Sequence, residues 1–228
     1  MNDPNGIRLE HFTARRTARC AVRGPVDPLA ARELWVVLHG YAHLAHDFLA
    51  GLDALDDGTR LIVAPEALSR FYDARGEREL HHEARVGASW MTREDRLREI
   101  DDTLAWLQLA YESFAARLAA DVPVTVLGFS QGGAAASRWV ASGRVPARHL
   151  ICWGASVAPE LDLGEGSALR RVRCSIVIGD RDKFIAPGQV TTEQSRLDAA
   201  GFPHTFIGFS GGHRLDDATL RRVAMDAR

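Results

Sequence analysis

Val122-Pro123-Val124-Thr125-Val126-Leu127-Gly128-Phe129-Ser130-Gln131-Gly132-Gly133-Ala134-Ala135-Ala136 decides how this chain is read. The β-branched run from Val122 to Gly128 has the composition of a buried strand, and the small residues after it open a helix spanning Gln131 to Ser142. A serine stands at the turn between them. So abrupt a passage from strand to helix strains the backbone by on the order of 1 to 3 kcal/mol, and glycine on both sides removes the Cβ atoms that would clash. Gly128 and Gly132 fill those two places. Gly133 to Ala136 let the helix lie close to the sheet, and its first amides add partial positive charge beside the serine oxygen. A glycine-rich packing turn would use the same glycines. The strand before and the helix after nevertheless give Ser130 the setting of an exposed nucleophile.

Working outward, short β-branched runs alternate with longer helical patterns, as in crossover units that build a mostly parallel sheet. Glu33 to His39, Leu61 to Ala64, Val122 to Gly128, His149 to Trp153, Val172 to Gly179 and His204 to Phe209 read as buried strands. Ile7 to Thr13 and Thr17 to Val22 read as an opening hairpin, which brings the expected total to about eight strands. A helix is predicted to begin at Thr92, with Asp95 completing a capping box. Leu97, Ile100, Leu104, Leu107, Tyr111, Phe114 and Leu118 recur at steps of three and four, a stripe expected to face the core. Further helices are expected over Gly188 to Ala200, ended by Gly201 and Pro203, and over Leu215 to Ala227. Glu66 to Gly87 is polar, lacks periodicity, and reads as a long surface excursion near the site.

Composition excludes several classes. With 228 residues, 46% of them hydrophobic and 25% charged, the chain can bury one large core, and a single domain over 1–228 is expected. A net charge of -2, with 28 basic residues among 30 acidic ones, leaves no basic stripe for nucleic acid. No apolar stretch approaches the ~20 residues that span a bilayer, and Met1 to Cys20 lacks the apolar core of a secretory signal, so a cytoplasmic location is expected. Cys20, Cys152 and Cys174 are odd in number and widely spaced, which suits reduced thiols in a core.

A serine nucleophile in acyl transfer needs amide donors for the oxyanion. One comes from the residue after it, Gln131; the other should follow a buried strand, where Trp35 to Leu38 runs into His39-Gly40-Tyr41 and glycine permits a turn presenting the Tyr41 amide. His39, His43 and His46 could instead be read as a metal cluster, but no carboxylate of a metalloprotease motif lies among them. In the α/β-hydrolase order the acid and then the histidine follow the nucleophile, both past C-terminal strand ends. His149 and His204 open their strands, which leaves His213, carried by the Ser210-Gly211-Gly212 turn, as the base. For the acid, spacing alone leaves Asp180 and Asp182 in competition: Asp180 stands where an aspartate commonly fixes a turn, and Asp182 reaches further out.

These residues resemble the phospholipase/carboxylesterase family of α/β-hydrolases, which contains bacterial carboxylesterases and acyl-protein thioesterases. The resemblance spans nearly the whole chain. It rests on Leu38-His39-Gly40, on Gly128-Phe129-Ser130-Gln131-Gly132-Gly133, on Gly179-Asp180-Arg181-Asp182 with Ile185 and Pro187, and on Gly211-Gly212-His213. It implies a mostly parallel sheet flanked by helices, and an aspartate three residues after Gly179, which is Asp182. Ser89-Trp90-Met91 is similar to a family segment whose tryptophan ring lies near the acyl pocket, and by that resemblance Trp90 is a candidate to bind substrate, with a core position as the equal alternative. The chain departs from the thioesterase pattern at Ala42 to His46 and over Glu66 to Gly87, so an acyl-protein substrate is not carried over.

The resulting expectation is a carboxylesterase acting on small to medium acyl esters through Ser130, Asp182 and His213, with Tyr41 and Gln131 as oxyanion donors and no metal or other cofactor. A thioesterase or lysophospholipase would use the same residues. A ligand-binding protein on this scaffold would have no reason to keep all three side chains.

Overall fold

A computed structural model describes residues 7–73 and 84–226. Its strands are β1 (Cys20–Arg23), β2 (Glu33–Leu38), β3 (Arg60–Pro65), β4 (Ser69–Asp73), β5 (Arg85–Ser89), β6 (Val124–Phe129), β7 (Ala147–Trp153), β8 (Arg173–Gly179) and β9 (Thr205–Phe209). The helices are α1 (Ala45–Ala50), α2 (Arg96–Ala115), α3 (Gln131–Ala141), α4 (Pro187–Ala199) and α5 (Asp217–Asp226).

Seven strands form the main sheet in the order β1-β3-β2-β6-β7-β8-β9, with β1 antiparallel and the others parallel. The period of two along each strand divides two apolar layers. Leu34, Val36, Val126, Leu150 and Ile176 face α2, α3 and α4 with Leu107, Trp139 and Leu197; Trp35, Val37, Leu127, Ile151 and Val177 face α1 and α5 with Phe48, Leu49, Leu220 and Val223. The chain passes from β2 to β3 on one side and later to β6 on the other side of β2. Such a reversal of strand order opens a crevice at the C-terminal ends of the two central strands. Gly40 and Ser130 follow those two ends.

Several expectations are corrected. The opening hairpin is absent: only β1 forms, along the edge of β3, while Ile7, Leu9 and Phe12 are exposed and bury no face. The main sheet therefore has seven strands, not about eight. Helix α2 starts at Arg96, after an Asp95 in the left-handed region (φ 47°) that pairs with His11 at 2.7 Å. Thr92 does not cap it through Asp95; its hydroxyl donates to the Glu99 carboxylate at 3.0 Å. In the expected stripe Leu97 is 71% exposed, Leu107 is buried and Leu104, Tyr111, Phe114 and Leu118 are half-buried, because Thr103, Leu107 and Ala110 define the face turned inward. The 66–87 stretch is no unstructured excursion at its ends: β4 and β5 pair as an antiparallel ribbon, and 74–83 lie outside the described residues. The short helix α1 had no counterpart in the sequence reading.

Candidate active site

Ser130 sits between β6 and α3 with φ 53° and ψ −121°, a conformation costly to any residue with a side chain. Its neighbours explain how the turn closes. A Cβ on Gly128 would stand 2.3 Å from the Gly132 carbonyl oxygen, and one on Gly132 would stand 2.3 Å from the oxygen of Leu38. Both positions admit only glycine. The Ser130 amide donates to Trp153 O at 2.8 Å, continuing the β6–β7 ladder past the end of the strand. Gln131 begins α3, and its side chain reaches sideways: Oε1 accepts the Trp90 amide at 3.0 Å and Nε2 donates to Met91 O at 2.8 Å.

Across the crevice, Gly40 approaches Ser130 so closely that an added Cβ would lie 3.3 Å from the serine Cβ. Tyr41 is half-exposed, with its ring stacked on Phe71 of β4 at 5.1 Å. His39, Gly40 and the strand before them are buried.

The polar loop after β8 separates the two aspartates. Asp182 has a side chain only 1% exposed; Oδ2 accepts His213 Nδ1 at 2.7 Å and Oδ1 accepts the Phe184 amide at 2.8 Å. Asp180 is exposed and accepts the Gly211 amide at 2.9 Å, a bond that holds its carboxyl below the usual carboxylate range. One aspartate thus fixes the histidine and the other fixes the turn that carries it. The two loops interlock at Gly179, where a Cβ would meet the Gly211 oxygen at 2.4 Å. Gly154 (φ 57°) leaves room for the imidazole, whose Nδ1 would lie 3.0 Å from any Cβ there.

Ser130, His213, Gly40 and Tyr41 line one cavity of about 780 Å³. Phe48, Phe129, Phe184, Ile185 and Leu215 make its apolar walls, and Asp47, Asp73, Arg85 and Arg214 its charged edge. Sequence reading missed Phe48, Arg85 and Phe184. Phe184 is 77% exposed yet lies with its ring 4.7 Å from that of His213, held there by the bond from its amide to Asp182. Its place two residues after Asp182 was the available signal.

Trp90 stands apart from the cavity. It is buried, donates from Nε1 to His39 O at 2.8 Å and lies against the His39 ring at 4.9 Å; it is not among the residues lining the Ser130 cavity. Of the two alternatives, acyl pocket and core, its burial and contacts match the core one, packed beneath the Gly40 turn. His39, His43 and His46 do not converge either: His39 bonds to backbone, His43 stacks on Phe129 at 5.9 Å, and His46 is exposed beside Asp47. Among the described residues no three His, Cys, Asp or Glu side chains are grouped as metal ligands, and no helix is long and apolar enough to cross a membrane.

No protein-family model matches the sequence, and no curated protein matches it significantly. Solved structures do. A carboxylesterase from Bacillus cereus superposes with a TM-score of 0.64 at 13% identity, covering 92% of this chain and 93% of its own. Acyl-protein thioesterase 2 from Zea mays gives 0.66 at 16%, covering 93% and 100%. The fold is that of the α/β-hydrolases. A phospholipase/carboxylesterase from Dyadobacter fermentans adds 0.61 at 15%, covering 94% and 98%. At such identities the likeness establishes the α/β-hydrolase fold, and what this member of the fold does rests on its own site.

Proposed function

We propose that the protein is a serine esterase in which Ser130, His213 and Asp182 form the catalytic triad. The observation that carries this reading is the buried Asp182 bonded to Nδ1 of His213 at 2.7 Å, the imidazole lining the same cavity as Ser130 on its strained turn. A carboxylate at Nδ1 keeps the proton there and leaves the Nε2 lone pair to act as base. Nε2 takes the Ser130 proton as Oγ attacks the ester carbonyl. The Tyr41 and Gln131 amides hold the oxyanion, helped by the positive end of α3. The imidazolium then gives its proton to the departing alkoxide, leaving an acyl-enzyme that water resolves by the same steps in reverse roles.

The apolar walls suit the acyl group of a small to medium ester, and a volume of about 780 Å³ is ample for one. Neither a metal nor an organic cofactor enters this chemistry. A thioester carbonyl fits the same machinery, so the test uses both. A fluorophosphonate should label the protein once, on Ser130, and p-nitrophenyl esters of increasing chain length should be hydrolysed alongside an acyl thioester. Labelling of Ser130→Ala, or intact esters after long incubation with folded protein, contradicts the proposal.

A further inference from the structure

The residue before the Gly40 turn is a histidine that the proposed triad does not use, and its surroundings assign it a task. His39 is wholly buried at the end of β2. Its Nε2 lies 3.0 Å from the Ala67 amide, which can only donate, so Nε2 must carry a lone pair. A neutral ring then has its proton on Nδ1, which lies 2.8 Å from the carbonyl oxygen of Gly40 and donates to it. Burial keeps the ring neutral, with a pKa lowered to about 4; His43 nearby lowers it further and Glu66 opposes. The tautomer is therefore set by the backbone of one loop and spent on the backbone of another.

The Gly40 carbonyl belongs to the same peptide unit as the Tyr41 amide. That unit is planar, and no described peptide bond is cis, so the two groups point in opposite directions. Anchoring the oxygen on His39 turns the Tyr41 N–H away from the ring. The His43 amide donates to the same Gly40 oxygen at 3.2 Å, and Trp90 Nε1 holds His39 O at 2.8 Å, which together fix both ends of the turn. Gly40 and Tyr41 border the cavity with Ser130.

We propose that His39 is a positioning residue, whose Nδ1–H bond to Gly40 O orients the Gly40–Tyr41 peptide so that its N–H serves the oxyanion formed at Ser130. This rests on the esterase reading above. The inference also explains why the histidine has no freedom to act as a base or a metal ligand: both ring nitrogens are already committed to backbone atoms.

Two substitutions imitate the two halves of the ring. In His39→Asn the side-chain NH2 stands near the place of Nδ1 and can still donate to Gly40 O. In His39→Gln the amide reaches the place of Nε2, where it accepts from Ala67 but leaves Gly40 O without its donor. Each variant is titrated with fluorophosphonate, so that rates refer to competent Ser130 sites. His39→Gln should lose about 10²-fold in kcat with KM changed by less than about threefold, approaching the loss of one oxyanion donor. Its affinity for a boronic acid that forms a tetrahedral adduct on Ser130 should fall in parallel. His39→Asn should recover most of both, to within about tenfold of the wild type.

A merely structural role would lower the melting temperature of both variants while leaving kcat per titrated site intact. That result, or equal losses in Asn and Gln, overturns the proposal. Wild-type protein that fluorophosphonate does not label would overturn the esterase reading instead. Should neither variant fold, 15N spectra of the histidines in the wild type decide the matter: a His39 ring protonated on Nε2 at neutral pH overturns the inference, and one protonated on Nδ1 alone supports it.

Discussion

Replacing Asp182 by asparagine conserves shape and removes one acceptor from a site that has two donors to satisfy. The carboxylate accepts His213 Nδ1 at 2.7 Å and the Phe184 amide at 2.8 Å, and its side chain is almost closed to water. Asparagine offers one carbonyl oxygen and an NH2 group. The Phe184 amide is part of the backbone and cannot stop donating, whereas an imidazole can move its proton to the other nitrogen. The NH2 group should therefore face Nδ1, and the His213 proton should shift to Nε2, removing the lone pair that takes the Ser130 proton. The expected loss is about 10³ to 10⁴ in kcat, or about 4 to 5.5 kcal/mol of transition-state stabilisation. Stability should change far less, by about 1 to 2 kcal/mol, as a charge-assisted hydrogen bond becomes a neutral one. Asp180→Asn is the control. An asparagine oxygen can accept the Gly211 amide as the carboxylate does, so kcat should stay within about threefold. Both variants are assayed on the same ester with melting curves alongside. An active Asp182→Asn beside a folded but inactive Asp180→Asn would refute the assignment of the acid.

Acid should weaken the fold in a defined window. His39 and His149 are buried neutral rings with pKa values lowered by burial to about 4, while the unfolded chain binds protons near 6.5, so stability is full above about pH 6.5 and is lost as pH falls toward 4, by about 3 kcal/mol for each ring. Denaturant midpoints that stay level from pH 7 to 4.5 would contradict this. Gly132→Ala should cost about 1 to 3 kcal/mol and most of the activity, since the new methyl would lie 2.3 Å from Leu38 O at the base of the serine turn; a melting curve and fluorophosphonate labelling check it, and a stable, fully labelled variant would show the turn to be looser than described. Iodoacetamide at neutral pH and EDTA should both leave ester hydrolysis unchanged, because burial raises the Cys20 thiol to about 11 and Cys174 to about 12 and pushes Cys152 well above its ordinary range, and the mechanism uses no metal. Inactivation by either reagent would require a different chemistry.

The sequence by itself determined the features that depend on local geometry. The five inner strands were legible because each is largely buried on both faces and so reads as a continuous apolar run, and the serine turn was legible because its glycines are compelled by contacts of under 2.6 Å to nearby backbone atoms. The position of His213 past β9 followed from strand direction alone. What only the tertiary structure decided involves partners distant in sequence. Asp180 and Asp182 stand two residues apart in one polar loop, and nothing local distinguishes them; the Gly211 amide and the His213 ring, 31 residues away, do. Trp90 lies in a segment that resembles a substrate-binding one, yet its indole is drawn beneath the Gly40 turn by the His39 carbonyl. Residues 7–13 alternate like a strand but find no second edge to pair with, since the neighbouring edge of β3 is taken by β1. The β4–β5 ribbon was invisible for a related reason: β4 is nowhere fully buried and the buried end of β5 is the small Gly87-Ala88-Ser89, so neither strand shows a run of large apolar residues, and its place at the cavity edge is set by Tyr41 stacking on Phe71 and by the Ala42 amide bonding to Ala88. Periodicity records which side of an element meets the core; which residues meet one another across the crevice is settled only when the strand order brings their ends together.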